Sequence, residues 1–388
     1  MTMLDPARFD AQTFLRDYWQ KKPLLIRNPW TDWHNPLEPD ELAGLGCEPG
    51  VESRLITHGA DMPALEHGPL PEDRFDTLGK APWTMLVQAV DHHVPAVADL
   101  IQPFRFIPDW RIDDVMVSYA TDGGGVGAHF DQYDVFLVQG LGRRRWRVGG
   151  LCDDTTPLMP HDSLRLLADF QPVEEYVLEP GDILYMPPRY AHEGTALGHD
   201  CMTYSIGFRA PSLGELVDGW TEHLVDQPGD DDRYTDPGLA AQDNPGEISE
   251  AALARMHRMI TERMGDTQAF ARWFGEFSTS PKPSEIDWSP EEQFSPEDVQ
   301  AALDHFPMLV RNPASRFAFV AGEGDAVTLF VDGQVYECDQ HRADAARSLC
   351  ANRALSISAE QARADSVIDL LTGLLNNGCI AFEGEPED

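Results

Sequence analysis

Apolar positions in this chain change their period several times, and each change marks a change of structure. Phe14, Leu15, Tyr18 and Trp19 recur at helical spacing, and Pro23 precedes the apolar run Leu24-Leu25-Ile26. That order predicts a helix leading into a strand. Residues 80–104 contain another amphipathic stretch, with Trp83, Leu86, Val87 and Val90 on one side. From about 111 to 209 short alternating runs are separated by glycine and proline turns, which predicts an antiparallel sandwich or barrel.

After Pro211 the helical period returns. Ser212 and Glu215 form a capping box, and Leu213, Leu216, Val217, Trp220 and Leu224 make one apolar stripe. Residues 226–247 are acidic and rich in proline and glycine, including Asp230-Asp231-Asp232, and predict an exposed loop. A second helix carries Leu253, Met256, Ile260 and Met264. The tail has a capped helix start at Ser295-Pro296-Glu297, strands at Phe317–Val320 and Val327–Val331, and a hairpin signal at Asp332-Gly333 leading into Gln334-Val335-Tyr336. Helices are expected at about 341–375. The chain thus divides into 1–210, with a core at about 111–209, a helical region at 211–283, and a small domain at 284–388.

The chemistry sits in the strand-rich segment. In His129-Phe130-Asp131 an extended backbone would project the imidazole and the carboxylate to one face and Phe130 to the other. Downstream, Pro180-Gly181-Asp182 signals a turn into Ile183-Leu184-Tyr185-Met186, which Pro187-Pro188 stops shortly before His192. Two histidines and one carboxylate on one face of a metal leave the opposite positions open, the arrangement of non-haem Fe(II) oxygenases.

Strand alternation then orders the neighbours. Asp114, Met116 and Ser118 share one face, and His129, Asp131 and Tyr133 share another. After Gly140-Leu141-Gly142, residues Arg144, Trp146 and Val148 share one face, opposite Arg143, Arg145 and Arg147. An oxygenase of this kind needs an inward cation for the distal carboxylate of a keto-acid cosubstrate, and the guanidinium of Arg144 offers a bidentate fork. The Gly123-Gly124-Gly125-Val126-Gly127 run lacks a Lys-Ser/Thr ending and leads into an extended segment, which excludes a phosphate loop.

Composition narrows the partners. The 388 residues include 66 acidic against 29 basic, a formal net charge of −37. Such a chain repels nucleic-acid phosphates and favours a basic partner, or reflects a salt-adapted source. The six cysteines (47, 152, 201, 338, 350, 379) show no C-x-x-C spacing, so a reducing cytoplasm is expected. No apolar stretch is long enough to span a bilayer, and acidic and basic residues interrupt the start where a signal peptide would be.

Residues 111–209 resemble the JmjC branch of the cupin superfamily, a double-stranded β-helix (jelly roll) that binds Fe(II) and 2-oxoglutarate. The basic-x-Trp pattern Arg144-Arg145-Trp146 matches the family's cosubstrate strand, although many JmjC enzymes carry lysine at the first position. Asp109-Trp110-Arg111-Ile112-Asp113-Asp114, the glycine run, Asp131-Gln132-Tyr133-Asp134-Val135-Phe136 and Gly207-Phe208-Arg209-Ala210-Pro211 resemble the bacterial ribosomal oxygenases over essentially the whole chain. The resemblance implies flanking helices, a helical dimerisation region and a C-terminal winged helix. It implies iron on His129, Asp131 and His192, 2-oxoglutarate on Ser118 and Arg144, and a substrate arginine among Asp114, Met116, Tyr133 and Ser205. It further implies O2 as co-reactant, a homodimer, and an arginine of ribosomal protein L sixteen hydroxylated at its β-carbon.

Three alternatives remain open at this stage. A histidyl hydroxylase of another ribosomal protein or a lysine demethylase would use the same metal chemistry. An acidic residue at Asp114 favours a cationic target over histidine but does not separate arginine from methyl-lysine. A cupin-like binding module using metal structurally is the non-enzymatic alternative, against which Arg144 and the intact triad both speak.

Overall fold

In the computed structural model β-strands dominate the first 210 residues. Residues 3–58, 63–161, 163–226, 233–282, 286–358 and 360–384 are described, without the side chains of residues 340 and 341. The expected acidic run at 230–232 and the boundary at 283 lie outside these residues. By contacts the chain forms two units, one of Met1–Ala210, Pro281–Arg316 and Asn352–Asp388, the other of Pro211–Ser280 and Phe317–Ala351. The tail after 283 therefore contributes to both, which a division in sequence order does not express.

The first unit is organised by one antiparallel sheet. Its strands are β1 (Leu24–Ile26), β2 (Ser53–His58), β3 (Pro63–His67), β4 (Trp83–Val87), β5 (Ile112–Ala120), β6 (Asp134–Leu151), β7 (Glu174–Leu178), β8 (Ile183–Met186) and β9 (Tyr190–Phe208). They run in the order β1-β8-β6-β9-β5-β4-β2-β3, with β7 also on β6. β6 and β9, of 18 and 19 residues, pair with each other from Asp134↔Phe208 to Leu151↔Tyr190. Register shifts between Gln139 and Arg143, and again after Val148, bend that ladder. One half of β6 then pairs with β8 and the other with β7. This is the jelly roll of a cupin core.

Alternation decides what faces where. Val115 and Val117 of β5, Phe136 and Val138 of β6, and Tyr204, Ile206 and Phe208 of β9 enter the main core with Phe14, Phe104 and Tyr185. Phe104 and Phe136 rings lie 4.5 Å apart, and Phe14 meets Tyr185 edge-on at 4.8 Å. The intervening residues of the same strands turn to the opposite side, where polar groups are kept. β8 is buried throughout, and its starting turn is fixed by Asp182, which accepts Asn28 N at 3.0 Å and Glu179 N at 3.0 Å.

Two local expectations differ from the structure. Residues 83–90 do not form a helix: β4 is a strand with Thr84 through Val87 all buried, followed by the short 3-10 turn Val90–His92. A brief apolar run buried on both sides carries no period that separates strand from helix. The segment around His129 is not a regular strand either. His129 makes one isolated antiparallel bridge, to His192, and the chain leaves extended pairing before Tyr133.

The remainder of the first unit contains the strand set β10 (Met308–Arg311), β14 (Ala354–Ser356) and β15 (Ile380–Phe382), with helices Pro296–Leu303 and Asp365–Asn376. In the second unit β11 (Phe317–Ala321), β12 (Val327–Val331) and β13 (Gln334–Cys338) form a meander accompanied by helices Leu213–Asp226, Glu250–Met264, Thr267–Thr279 and Gln340–Ala351. The expected stripe on the first of these helices is split. Trp220 turns inward against Phe270 and Trp273, while Leu213 and Val217 are exposed. Among the described residues no helix is long and apolar enough to cross a membrane.

Candidate active site

A cavity of about 440 Å³ opens inside the jelly roll. All nine residues singled out from sequence line it: Asp114, Met116, Ser118, His129, Asp131, Tyr133, Arg144, His192 and Ser205. Strands β5, β6 and β9 supply six of them through alternate positions, and Ser205 sits directly across from Met116 in the ladder.

The three metal-type donors converge. One ligand atom from each of His129, Asp131 and His192 lies within 4.8 Å of the others, with His192 Nε2 3.5 Å and His129 Nε2 3.9 Å from Asp131 Oδ2. His129 Nδ1 donates to Gly127 O and His192 Nδ1 to Tyr190 O, each at 2.9 Å. A carbonyl accepts only from an N–H, so both rings carry their proton on Nδ1 and present a bare Nε2 lone pair. Burial, and then the neighbouring His129 ring, hold the His192 imidazole well below its ordinary range, which keeps it neutral. Phe130 turns away to pack with Cys152, Leu167 and Ala191. This donor set fits a divalent transition metal with positions left open.

Close approach of backbones holds the arrangement together. A Cβ at Gly125 would collide with the carbonyl of Gly194, so the glycine run passes tightly against β9. Gly194 in turn leaves room for the Trp146 ring, which would meet a Cβ there at 2.7 Å. Trp146 thereby reaches His192, ring centres 5.8 Å apart.

Arg144 is the electrostatic anomaly. Its side chain is 3% exposed and lines the cavity, yet among the described residues it has no carboxylate partner. Among the described residues its Nη2 hydrogen-bonds only to Ser118 Oγ, at 3.5 Å, and its Nε has no partner. Trp146 Nε1 and Thr84 Oγ1, on two other lining residues, are likewise buried and unsatisfied. A buried unpaired guanidinium costs several kcal/mol, so the residues present fit an acceptor-rich anion in this cavity. Arg143, by contrast, is exposed, as its strand phase requires.

The far end of the cavity is acidic but not open. Asp114 is 2% exposed; burial pushes its carboxyl up, while Lys282 and Gln88 act in the opposite sense. Gln88 Nε2 donates to its two oxygens at 3.0 and 2.7 Å, and Lys282 Nζ to Oδ2 at 2.5 Å. Tyr133 is 44% exposed at the edge of the cavity, so it is not core, and desolvation first, then the neighbouring Asp131 charge, raises its phenol. Sequence reasoning missed Thr84, Gln88, Arg54, Thr203 and Lys282. The alternation Thr84, Leu86 along β4, continued to Gln88 just past its end, was the available signal for two of them.

Comparison with known proteins places this geometry. Residues 99–216 match the JmjC domain model, and residues 258–381 match the ROXA-like winged helix. The chain is 37% identical to the ribosomal protein uL16 3-hydroxylase of Escherichia coli, over 96% of this chain and 97% of that one. It is also 37% identical to a probable ribosomal oxygenase of Haemophilus influenzae, covering 77% of this chain and 76% of the relative. The crystal structure of Escherichia coli YcfD superposes with a TM-score of 0.90 at 36% identity, covering 98% of this chain and all of the other. The YcfD structure in complex with cobalt and 2-oxoglutarate superposes at 0.87, covering 99% and 100%. The chain belongs to the JmjC-domain ribosomal oxygenases.

Proposed function

We propose that this protein is an Fe(II)- and 2-oxoglutarate-dependent hydroxylase acting on an arginine of a basic ribosomal protein, uL16 as for its Escherichia coli relative. The buried, carboxylate-free Arg144 beside the His129–Asp131–His192 cluster supports this most directly, because it is a site for one end of a dicarboxylate whose other end reaches a metal. When bound, iron with 2-oxoglutarate and dioxygen supplies the oxidation: the keto acid becomes succinate and carbon dioxide, one oxygen atom enters succinate, and the other enters a substrate C–H bond.

The chain's own residues do the positioning. His129, Asp131 and His192 hold the metal, with both imidazole protons kept on the carbonyl-bonded nitrogens. Arg144, Ser118 and Trp146 fix the cosubstrate, whose carboxylate satisfies the orphaned guanidinium. Asp114 attracts the substrate cation, Met116 and Ser205 face each other along its stem, and Tyr133 covers the entrance. The net charge of −37 draws a basic protein from a distance and weakens as salt is added.

A homodimer belongs to the same proposal. Helix Glu250–Met264 has no buried residue, and Leu253, Met256, Ile260 and Met264 on it are exposed together with Leu213 and Val217. An isolated helix of that length is marginal in water without a packed apolar face.

The functional test is mass spectrometry of a synthetic uL16 loop peptide incubated with the enzyme, iron, 2-oxoglutarate and air. The expected product carries one added oxygen on arginine, with succinate formed in equal amount. Oxygen appearing on histidine of another ribosomal peptide instead would replace the arginine assignment, and loss of a methyl group from lysine would identify a demethylase.

A further inference from the structure

Asp114 meets the cavity with a cation already in place. Lys282 Nζ lies 2.5 Å from Asp114 Oδ2 and 3.1 Å from Asp113 Oδ2. Gln88 Nε2 is shared between the Asp114 oxygens, and Arg54 Nη2 donates to Gln88 Oε1 at 3.3 Å, which fixes the direction of that amide. A carboxylate has about four acceptor positions, two on each oxygen. Gln88 and Lys282 crowd Oδ2, leaving acceptor capacity chiefly on Oδ1.

The occupancy matters because the two cations of proteins bind carboxylates differently. A guanidinium engages both oxygens at once through parallel N–H donors, whereas an ammonium acts as a point charge. A substrate guanidinium can complete its fork only if Lys282 releases Oδ2. Lys282 has somewhere to go: Asp113 Oδ2 is already within ion-pair distance, while Asp113 Oδ1 is held by Arg209 Nε and Arg316 Nη2 at 3.4 and 3.1 Å. The exchange therefore never strands the lysine without a counter-charge.

We propose that Lys282 is a resident counter-ion of the substrate pocket, which yields Asp114 to a guanidinium and not to an ammonium, and so sets the choice of arginine over lysine. This rests on the reading of Asp114 as the substrate-cation site. An incoming ammonium merely replaces one point charge by another. A guanidinium replaces it and adds a second hydrogen bond. A neutral side chain offers nothing for the displaced lysine contact, so the Asp114–Lys282 ion pair stays intact. The selectivity comes at the expense of affinity, since every substrate must first displace Lys282.

The test compares wild type with Lys282→Met and Lys282→Arg on two peptides, one with the target arginine and one with lysine in its place. Lys282→Met removes the competitor and keeps the stem. It should lower KM for the arginine peptide roughly five-fold, about one hydrogen-bonded contact, and lower it more for the lysine peptide, so that discrimination shrinks. Lys282→Arg installs a fork on Asp114 and should raise KM for both. A general loss of folding would move both variants in the same direction. Calorimetric titration with N-acetylarginine amide and N-acetyllysine amide reads the same preference without turnover, whichever ribosomal residue is the target. If Lys282→Met raises KM, or leaves the arginine-to-lysine ratio of both turnover and amide binding unchanged, Lys282 is a structural tie and the proposal fails. An unmodified arginine peptide alongside retained amide selectivity would instead overturn the substrate assignment alone.

Discussion

His129 and His192 exchange both of their backbone hydrogen bonds, His129 N to His192 O at 3.0 Å and the reverse at 2.8 Å. Two residues 63 positions apart are thus fixed to each other by main chain (192 less 129). Arg189 N donates to Asp131 O at 2.7 Å, so the chain on either side of the site is pinned at a second point. Preorganisation of this kind leaves the side chains little to rearrange when a metal binds.

That arrangement makes Asp131 replaceable without loss of fold. Asp131→Ala should retain the wild-type circular dichroism spectrum and melting behaviour, yet lose turnover and bind Co(II) at least about ten-fold more weakly. Cobalt absorption during titration reads the affinity. Unchanged cobalt binding in the variant would remove Asp131 from the metal site.

Arg144 and Arg143 provide an internal control. Arg144→Ala should weaken 2-oxoglutarate binding by roughly 3–5 kcal/mol, the cost of leaving a buried charge without its partner. Arg143→Ala, on the exposed side of β6, should change it little. Calorimetry on the cobalt-loaded proteins decides; equal losses would mean that the cosubstrate is held elsewhere.

The exposed apolar residues of helix Glu250–Met264 should be covered by a second copy of the chain. Replacing Val217 and Ile260 with aspartate should give monomers in light scattering at micromolar concentration while the wild type remains dimeric. Trp220 is a poor choice for this test because it is buried against Phe270 and Trp273. A monomeric wild type would end the idea.

Asp91 is a source of pH-dependent stability. Burial first, and the Asp114 charge second, push its carboxyl from 3.8 up to about 7. Between those values the folded chain binds the proton more readily than the unfolded one, so stability falls as pH rises through that window. Asp91→Asn keeps an oxygen for Val115 N, which Asp91 Oδ1 now accepts at 2.8 Å, and has no charge to bury. The variant should match wild type near pH 4 and exceed it above pH 7, by on the order of a few kcal/mol. Urea denaturation across that range checks this; a constant difference would refute it.

The sequence carried the chemistry further than the architecture. The inward face of Arg144 was legible because strand alternation predicts which neighbours share a face. His129 and Asp131, in contrast, converge from a segment that makes only an isolated bridge to His192, and the role of Ser118 was implied only by the family resemblance. β4 was not legible, since Trp83–Val87 is too short and too uniformly buried to display a period. Lys282 had no sequence signature at all: its partner lies 168 positions away, and a lysine flanked by prolines reads as solvent-facing linker. Trp220 shows the same limit on a helix, where one apolar stripe hides which of its members face inward.

The long ladder between β6 and β9 also acts as a gauge. Arg144 pairs with Ala196 and Val148 with His192, so the proposed cosubstrate anchor and the proposed metal ligand stand four rungs apart on one continuous pair of strands. Only same-face positions can exchange roles, and those recur every two residues, about 6.6 Å along the strand. That step is far coarser than one methylene of a dicarboxylate. With the cosubstrate held as proposed, its acceptable length is quantised by backbone register, and fine adjustment is left to the reach of the side chain at position 144. A lysine there, as in other JmjC enzymes, changes the reach while leaving the rungs untouched.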